Sequence, residues 1–440
     1  MKNARLLALI PILFLTVFFM NRVEGYGIAI KSVAAAEVKT IKKPLSAFEN
    51  KSSGIKPPAV KQQEIKPPVL APLADPVNRN AVGCIFPLTG RFADAGNKAL
   101  DAVLLSAKIF NQRSVSPWKI VVADSGETPE GIKEAVACLA DAKVIAIIVI
   151  AGTAEANVAA IEAQRRQVPL ILIASKEGVT EIGEYVFQHF LTPTQQIQAL
   201  TKYAFDTFNI AIFSVLYPQD DYGEEMVRLF RNEIKKAGGK IDQAIPYGKR
   251  QTDFTEQIKK LTGNKFGVSE KVHTATEESQ GKLSVGFEAL FIPDSPLRVK
   301  MIASQLAFYD VKAVRLLGTS LWHSSDLLKK GAEYLEGAVF ADSFLVNGIL
   351  PETNDFVDIY YSAYSRDPGT IDALSYDTMG LVLGVLENGE IKTRAEFIKA
   401  LSAVQGFRGV TGTISFHGSR VAQKDAFILK VQNGKIEQVK

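Results

Sequence analysis

From Ala81 onward, short apolar runs alternate with longer stretches whose apolar residues recur every three or four positions, the layout of parallel strands joined by helices. The pattern predicts strands at 81–86, 118–123, 145–150 and 170–173, each followed by a helix-like segment. In the helix predicted over 96–111, Ala99, Val103, Ala107 and Phe110 share one face. In the next, over 129–141, Ile132, Ala135, Val136 and Leu139 do so, with Thr128 as cap and Pro129 in the first turn. A second series follows: helices at 195–208, 223–237, 254–261 and 298–309, and strands at 210–216, 240–247, 289–292, 315–318 and 338–344. Helices are expected at 356–364 and 375–386, and 412–440 alternates like hairpin strands around Gly418 and Asn433-Gly434. The polar stretch 263–286 reads as a mobile surface loop. Two such series predict an α/β protein of two doubly wound parallel-sheet lobes, and a cleft between lobes is a usual place for a small ligand.

The first 80 residues are of another kind. Lys2 and Arg5 precede an apolar stretch, Leu6 to Met20, that resembles an export leader and is short of the roughly 20 residues a bilayer span needs. Cleavage after Gly25 would release the chain, and an uncleaved leader would tether it to the inner membrane; either places the body in the periplasm. Residues 26–79 are rich in Lys, Pro and Ala and repeat Ile-Lys-Pro-Pro at 55–58 and 65–68, a composition that cannot bury a core and favours an extended linker. Residues 1–80 carry a surplus of seven positive charges, while the whole chain of 440 residues carries +4, so the remainder is near −3. The basic surplus therefore lies outside the folded body, which argues against a nucleic-acid-binding surface.

Ligands of open parallel sheets bind beyond the carboxyl ends of the strands. This rule selects Pro87–Gly96 with Arg91 and Phe92, Gly152–Glu155 with Thr153 and Ala154, and Ala174–Gly178 with Ser175. In the second series it selects Tyr217–Gly223 with Tyr222, Pro293–Ser295 with Asp294, and Thr319–His323 with Ser320 and Trp322. Each has a plainer reading: glycines after strands are common in α/β proteins, Tyr222 suits strand–helix packing, and Trp322 suits the core. Cys84 lies in the first strand and Cys138 on the second helix. In a 2-1-3 strand order that helix crosses over the first strand, which would allow a disulfide, and the alternative is two buried inert thiols. Four scattered histidines, with no His-x-x-x-His, Cys-x-x-Cys, Gly-x-Ser-x-Gly or phosphate-loop spacing, point to a non-enzyme with no metal and no cofactor.

The stretches Phe86-Pro87-Leu88-Thr89-Gly90 with Gly96, Leu216-Tyr217-Pro218 with Tyr222-Gly223, Thr252-Asp253-Phe254, Leu290–Asp294 and Leu335-Glu336-Gly337-Ala338 resemble, in this order, the type I periplasmic binding proteins of the Leu/Ile/Val-binding branch. The resemblance covers about 81–440. It implies lobe one at 80–195 plus 346–410, lobe two at 196–345 plus 411–440, a three-strand hinge, and closure of the lobes on a small polar ligand, an amino acid or amide-like molecule, for delivery to the permease of an ABC importer. It further implies that Thr153, Ala154 and 174–178 hold a carboxylate, that Tyr222 packs on the ligand, and that an acidic residue near Ser320 meets an ammonium. Here that loop reads Gly318-Thr319-Ser320-Leu321-Trp322, and Lys176-Glu177 stands where small residues are usual, departures that point away from an ordinary aliphatic amino acid. The run Pro87–Ala93 is also similar to the penicillin-binding protein activator lipoproteins, which implies an alternative role as a regulator in contact with a cell-wall synthase.

Overall fold

A computed structural model describes residues 77–109, 116–263, 285–311, 313–387 and 389–439. The leader, nearly all of the linker and most of the 263–286 loop lie outside the described residues.

The first sheet is wholly parallel: β1 (Asn78–Phe86), β2 (Lys119–Asp124), β3 (Val144–Ile150), β4 (Leu170–Ile173) and β5 (Val186–Gln188), in the order β2-β1-β3-β4-β5. Between them run α1 (Ala93–Ser106), α2 (Pro129–Asp141) and α3 (Thr153–Arg165). Helices cover both faces of such a sheet, which is why the β3 sequence Val-Ile-Ala-Ile-Ile-Val-Ile is apolar throughout instead of alternating. The α2 boundaries follow from local chemistry, since the Thr128 side chain accepts from Gly131 N at 3.0 Å and Pro129 occupies the first turn. One expectation fails here: β4 is followed by a 3-10 turn (Val179–Ile182) and the three-residue strand β5, with no helix between them.

The second sheet contains β6 (Ile212–Pro218), β7 (Lys240–Tyr247), β8 (Ala289–Phe291), β9 (Arg315–Gly318), β10 (Val339–Asp342), β14 (Phe427–Gln432) and β15 (Lys435–Gln438), in the order β15-β14-β10-β9-β8-β6-β7. The pairings are parallel from β10 to β7, and β14 and β15 are added antiparallel. Its helices are α4 (Pro193–Phe208), α5 (Asp221–Lys236), α6 (Thr255–Leu261) and α7 (Pro296–Phe308). The helices α8 (Pro351–Tyr364), α9 (Thr370–Glu387) and α10 (Arg394–Ser402) then return to the first lobe, where Leu374, Val382, Leu386, Phe397 and Leu401 pack with β1 and β3 residues.

In both lobes a proline closes the first strand, Pro87 just after β1 and Pro218 as the last residue of β6, and the next helix approaches it closely. A Cβ on Gly96 would lie 2.0 Å from the Pro87 carbonyl oxygen, and one on Gly223 2.0 Å from that of Pro218, so only glycine fits at either place.

The C-terminal tail divides between the lobes. Strands β11 (Phe407–Gly409), β12 (Gly412–Ser415) and β13 (Gln423–Lys424) form a small antiparallel sheet, and Ile414, Phe416 and Ala422 join the core of the first lobe. Only β14 and β15 belong to the second sheet, so the expected change of lobe at 411 falls after Lys424. The chain thus crosses between sheets three times, over 189–192, 343–350 and 425–426.

The proposed disulfide is absent. Cys84 and Cys138 are free, the first buried and the second exposed. The 2-1-3 order is as expected, but strand side chains alternate faces: Cys84 packs with Val82, Phe86 and the α9 side, while Ala81 and Ile85 face α2. Burial in apolar surroundings pushes the Cys84 thiol strongly upward, as for an inert core cysteine.

Candidate functional site

On the first lobe, Arg91 and Phe92 are exposed at the α1 start, with the guanidinium 4.3 Å over the Phe92 ring. Asp124 holds the β1 loop by accepting from Leu88 N at 2.9 Å and from the Thr89 hydroxyl at 2.5 Å, and Glu127 accepts from Phe92 N. Thr153 and Ala154 open α3 and are exposed, and no side chain caps that helix. In the β4 loop Ser175 is exposed, but Ala174 is buried in the core and its carbonyl accepts from Gln188 Nε2 at 2.7 Å. Glu177 reaches the other lobe: its Oε1 accepts from Thr194 N, in the first turn of α4, at 2.9 Å. That backbone site at a helix start is therefore filled by the protein's own carboxylate.

On the second lobe, the Tyr222 hydroxyl lies 3.1 Å from Thr319 Oγ1, and burial pushes it up to about 12. Asp294 accepts from the Tyr247 hydroxyl and from Ser295 N, both at 2.6 Å. Ser320 N donates to Gln196 Oε1 at 3.0 Å. Trp322 leaves the ligand set. It is 0% exposed, its Nε1 donates to Ile292 O at 3.1 Å, and its ring lies against Gly318. The 3-10 turn Ser320–Trp322 folds the loop back over the sheet and turns the indole into the core.

The structure also assembles a polar cluster that residue spacing does not reveal. All three crossings contribute: His189 from the first, Asp342 at the start of the second and Lys424 just before the third. Lys424 Nζ donates to Thr411 Oγ1 and to His189 Nε2, the latter at 3.0 Å. The Thr411 hydroxyl donates to Asp377 Oδ2 at 2.5 Å, and Val410 N and Thr411 N donate to the same carboxylate. His189 Nδ1 is 2.8 Å from Thr378 Oγ1. Burial holds Lys424 down at about 8 against the pull of Asp377 and Asp342. Burial, aided by the Lys424 charge, keeps His189 well below the usual imidazole range, and burial raises Asp377. Beside this knot, Asp342 Oδ2 pairs with His323 Nδ1 and accepts from the Thr370 hydroxyl of the first lobe at 3.3 Å.

Asp342 was open to discovery by the strand-end rule. Reading that strand as 338–344 hid it, because the strand ends at Asp342 and the first crossing residues, Ser343 and Phe344, are as buried as the strand itself. Two surface cavities of about 410 and 340 Å³ lie elsewhere on the first lobe, one around Ile359 and one around Val385 and Phe407. Among the described residues no three His, Cys, Asp or Glu side chains gather as a metal site.

The model of the periplasmic binding protein family matches residues 81–435. No curated protein matches the chain by sequence. Among solved structures, a Rhodospirillum rubrum protein assigned to a branched-chain amino acid ABC transporter is similar at 20% identity and a TM-score of 0.70, covering 82% of this chain and all of that one. The substrate-binding protein LivJ of Streptococcus pneumoniae, in complex with isoleucine, is similar at 22% and 0.62, covering 82% and 100%. A solute-binding protein of an ABC transporter from Rhodopseudomonas palustris BisB5, in complex with 3,4-dihydroxybenzoic acid, is similar at 21% and 0.62, covering 81% and 94%.

Proposed function

The chain belongs to the periplasmic binding protein family, and from that premise we propose that it is an extracytoplasmic receptor that closes its two lobes on a small carboxylate-bearing molecule, an amino acid or similar, and delivers it to the permease of an ABC importer. The carrying observation is the placement of polar loops at the carboxyl ends of both parallel sheets, with three chain crossings between them. Arg91, Phe92, Thr153, Ser175, Tyr222, Asp294 and Ser320 are the cleft residues of this reading. The uncapped start of α3 at Thr153 offers backbone N–H groups to a carboxylate. Isoleucine and 3,4-dihydroxybenzoate, bound by two of the similar proteins, share a carboxylate and differ in the rest. Transport descriptions of these proteins weigh toward import over contact with a cell-wall synthase. The protein acts by binding, with lobe closure driven by the difference in ligand affinity between open and closed states.

The test is a thermal-shift titration of the purified protein with isoleucine, leucine, benzoate, 3,4-dihydroxybenzoate and simple amides. A ligand present at 100 times its Kd stabilises the folded state by about 2.7 kcal/mol, so a saturable rise in Tm is expected for at least one carboxylate. A flat response to the whole panel would refute the reading.

A further inference from the structure

His323 stands in the loop beyond β9, and its partner Asp342 ends the neighbouring strand β10. Asp342 is almost fully buried, while the His323 side chain keeps 20% of its surface. A carboxylate only accepts hydrogen bonds, so the hydrogen of the neutral imidazole sits on Nδ1, facing Asp342. That leaves Nε2 as an acceptor, and no described residue bonds it. The ring is held in place, since Phe340 packs 6.1 Å from it and Asp342 is itself fixed by Ser343 N at 2.7 Å. Asp342 also takes the Thr370 hydroxyl from the start of α9, so the pair lies where the lobes meet.

We propose that His323 is a ligand-contacting, specificity-determining residue that accepts a hydrogen bond from a hydroxyl or amino donor of the solute, with Asp342 as its positioning residue. This rests on the reading of the protein as a solute receptor. It narrows the ligand to a carboxylate that also carries an O–H or N–H donor, because an analogue that covers Nε2 in the closed cleft without pairing it takes away the acceptor's hydrogen bond to water and returns none. Asp342 fixes the tautomer, and Thr370 makes the geometry of the acceptor depend on the arrangement of the lobes.

The experiment compares donor-bearing probes (3,4-dihydroxybenzoate, leucine, isoleucine) with donor-free benzoate by calorimetry, on the wild-type protein and on His323→Ala, His323→Gln and Asp342→Asn. Wild type is expected to prefer a donor-bearing probe. His323→Ala weakens that probe about 10- to 100-fold and leaves benzoate within about threefold. His323→Gln, which retains an acceptor, keeps part of the preference, and Asp342→Asn loses the preference while the melting profile stays cooperative. A donor-bearing probe that binds wild type and both His323 variants equally overturns the role of His323 and leaves the receptor reading standing. A wild type that binds benzoate at least as well as the others also overturns it. A wild type that binds none of the probes overturns the receptor reading and this role with it.

Discussion

Replacing Lys424 with methionine tests the knot at the crossings. The wiring is consistent in every hydrogen: Lys424 only donates, so His189 accepts on Nε2, carries its own hydrogen on Nδ1 and donates to Thr378, whose hydroxyl donates to Leu374 O at 2.6 Å. On the other arm Thr411 passes the interaction to Asp377. Lowering the lysine from the usual 10.5 to about 8 corresponds to about 3 kcal/mol of disfavoured charge, yet the group remains mostly protonated at pH 7. The sign follows from proton counts. Between pH 8 and 10.5 the unfolded chain binds the proton that the folded one has released, so the contribution of this group to stability rises with pH across that window. The methionine side chain would remove that cost, but it would leave the buried Asp377 carboxylate without its cation. Removing the cation that acts on a buried carboxylate, here through Thr411, costs about 3–5 kcal/mol with the relieved desolvation already counted. Lys424→Met is therefore expected to lower the urea midpoint and Tm at pH 7 by an amount equivalent to about 3 kcal/mol. The deficit should shrink toward pH 5, because burial already raises Asp377 and protonation relieves the unpaired charge. A variant as stable as wild type at pH 7, or a deficit that does not change with pH, would refute this account of the knot.

Two further outcomes follow from packing and burial. Gly318→Ala sets a Cβ 2.1 Å from the ring of the fully buried Trp322, so it should cost about 1–3 kcal/mol by overpacking and shift the indole emission, and unchanged fluorescence and Tm would contradict the buried placement. Burial raises Asp372 to about 6, partly opposed by its bond from Gly369 N; its folded value exceeds its unfolded one, so its contribution is full below about pH 4 and is lost as pH rises through 6. Asp372→Asn keeps the acceptor and should raise stability at pH 7.5 by up to about 3 kcal/mol while flattening the slope between about pH 4 and 6.5; a pH profile identical to wild type would exclude a raised carboxyl there.

The order of strands and helices was legible because its causes are local. The continuous apolar run of β3, the Thr128-Pro129 start of α2 and the Asn433-Gly434 turn before β15 each carry their own signal within a few residues. The loops that bear Tyr222, Thr153 and Asp294 were found by a rule about strand ends, which needs only the element order. What the sequence could not decide depends on which side chains meet from distant segments. A three-residue strand such as β5 has too few positions to show alternation, and it exists because β4 and the Arg420–Ala422 segment pair with it. The return of Ile414, Phe416 and Ala422 to the first core, the turning inward of Trp322 and the opposite facing of Cys84 from α2 are outcomes of packing among separate elements. The same holds for His189, Asp342, Asp377, Thr411 and Lys424, scattered over some 235 residues of chain, as measured from His189 to Lys424. Sequence determines which residues can form each element, since propensity and capping act over one or two turns. Only the tertiary fold decides which charges are buried together, because desolvation and hydrogen bonding act over a few ångströms of space irrespective of distance along the chain.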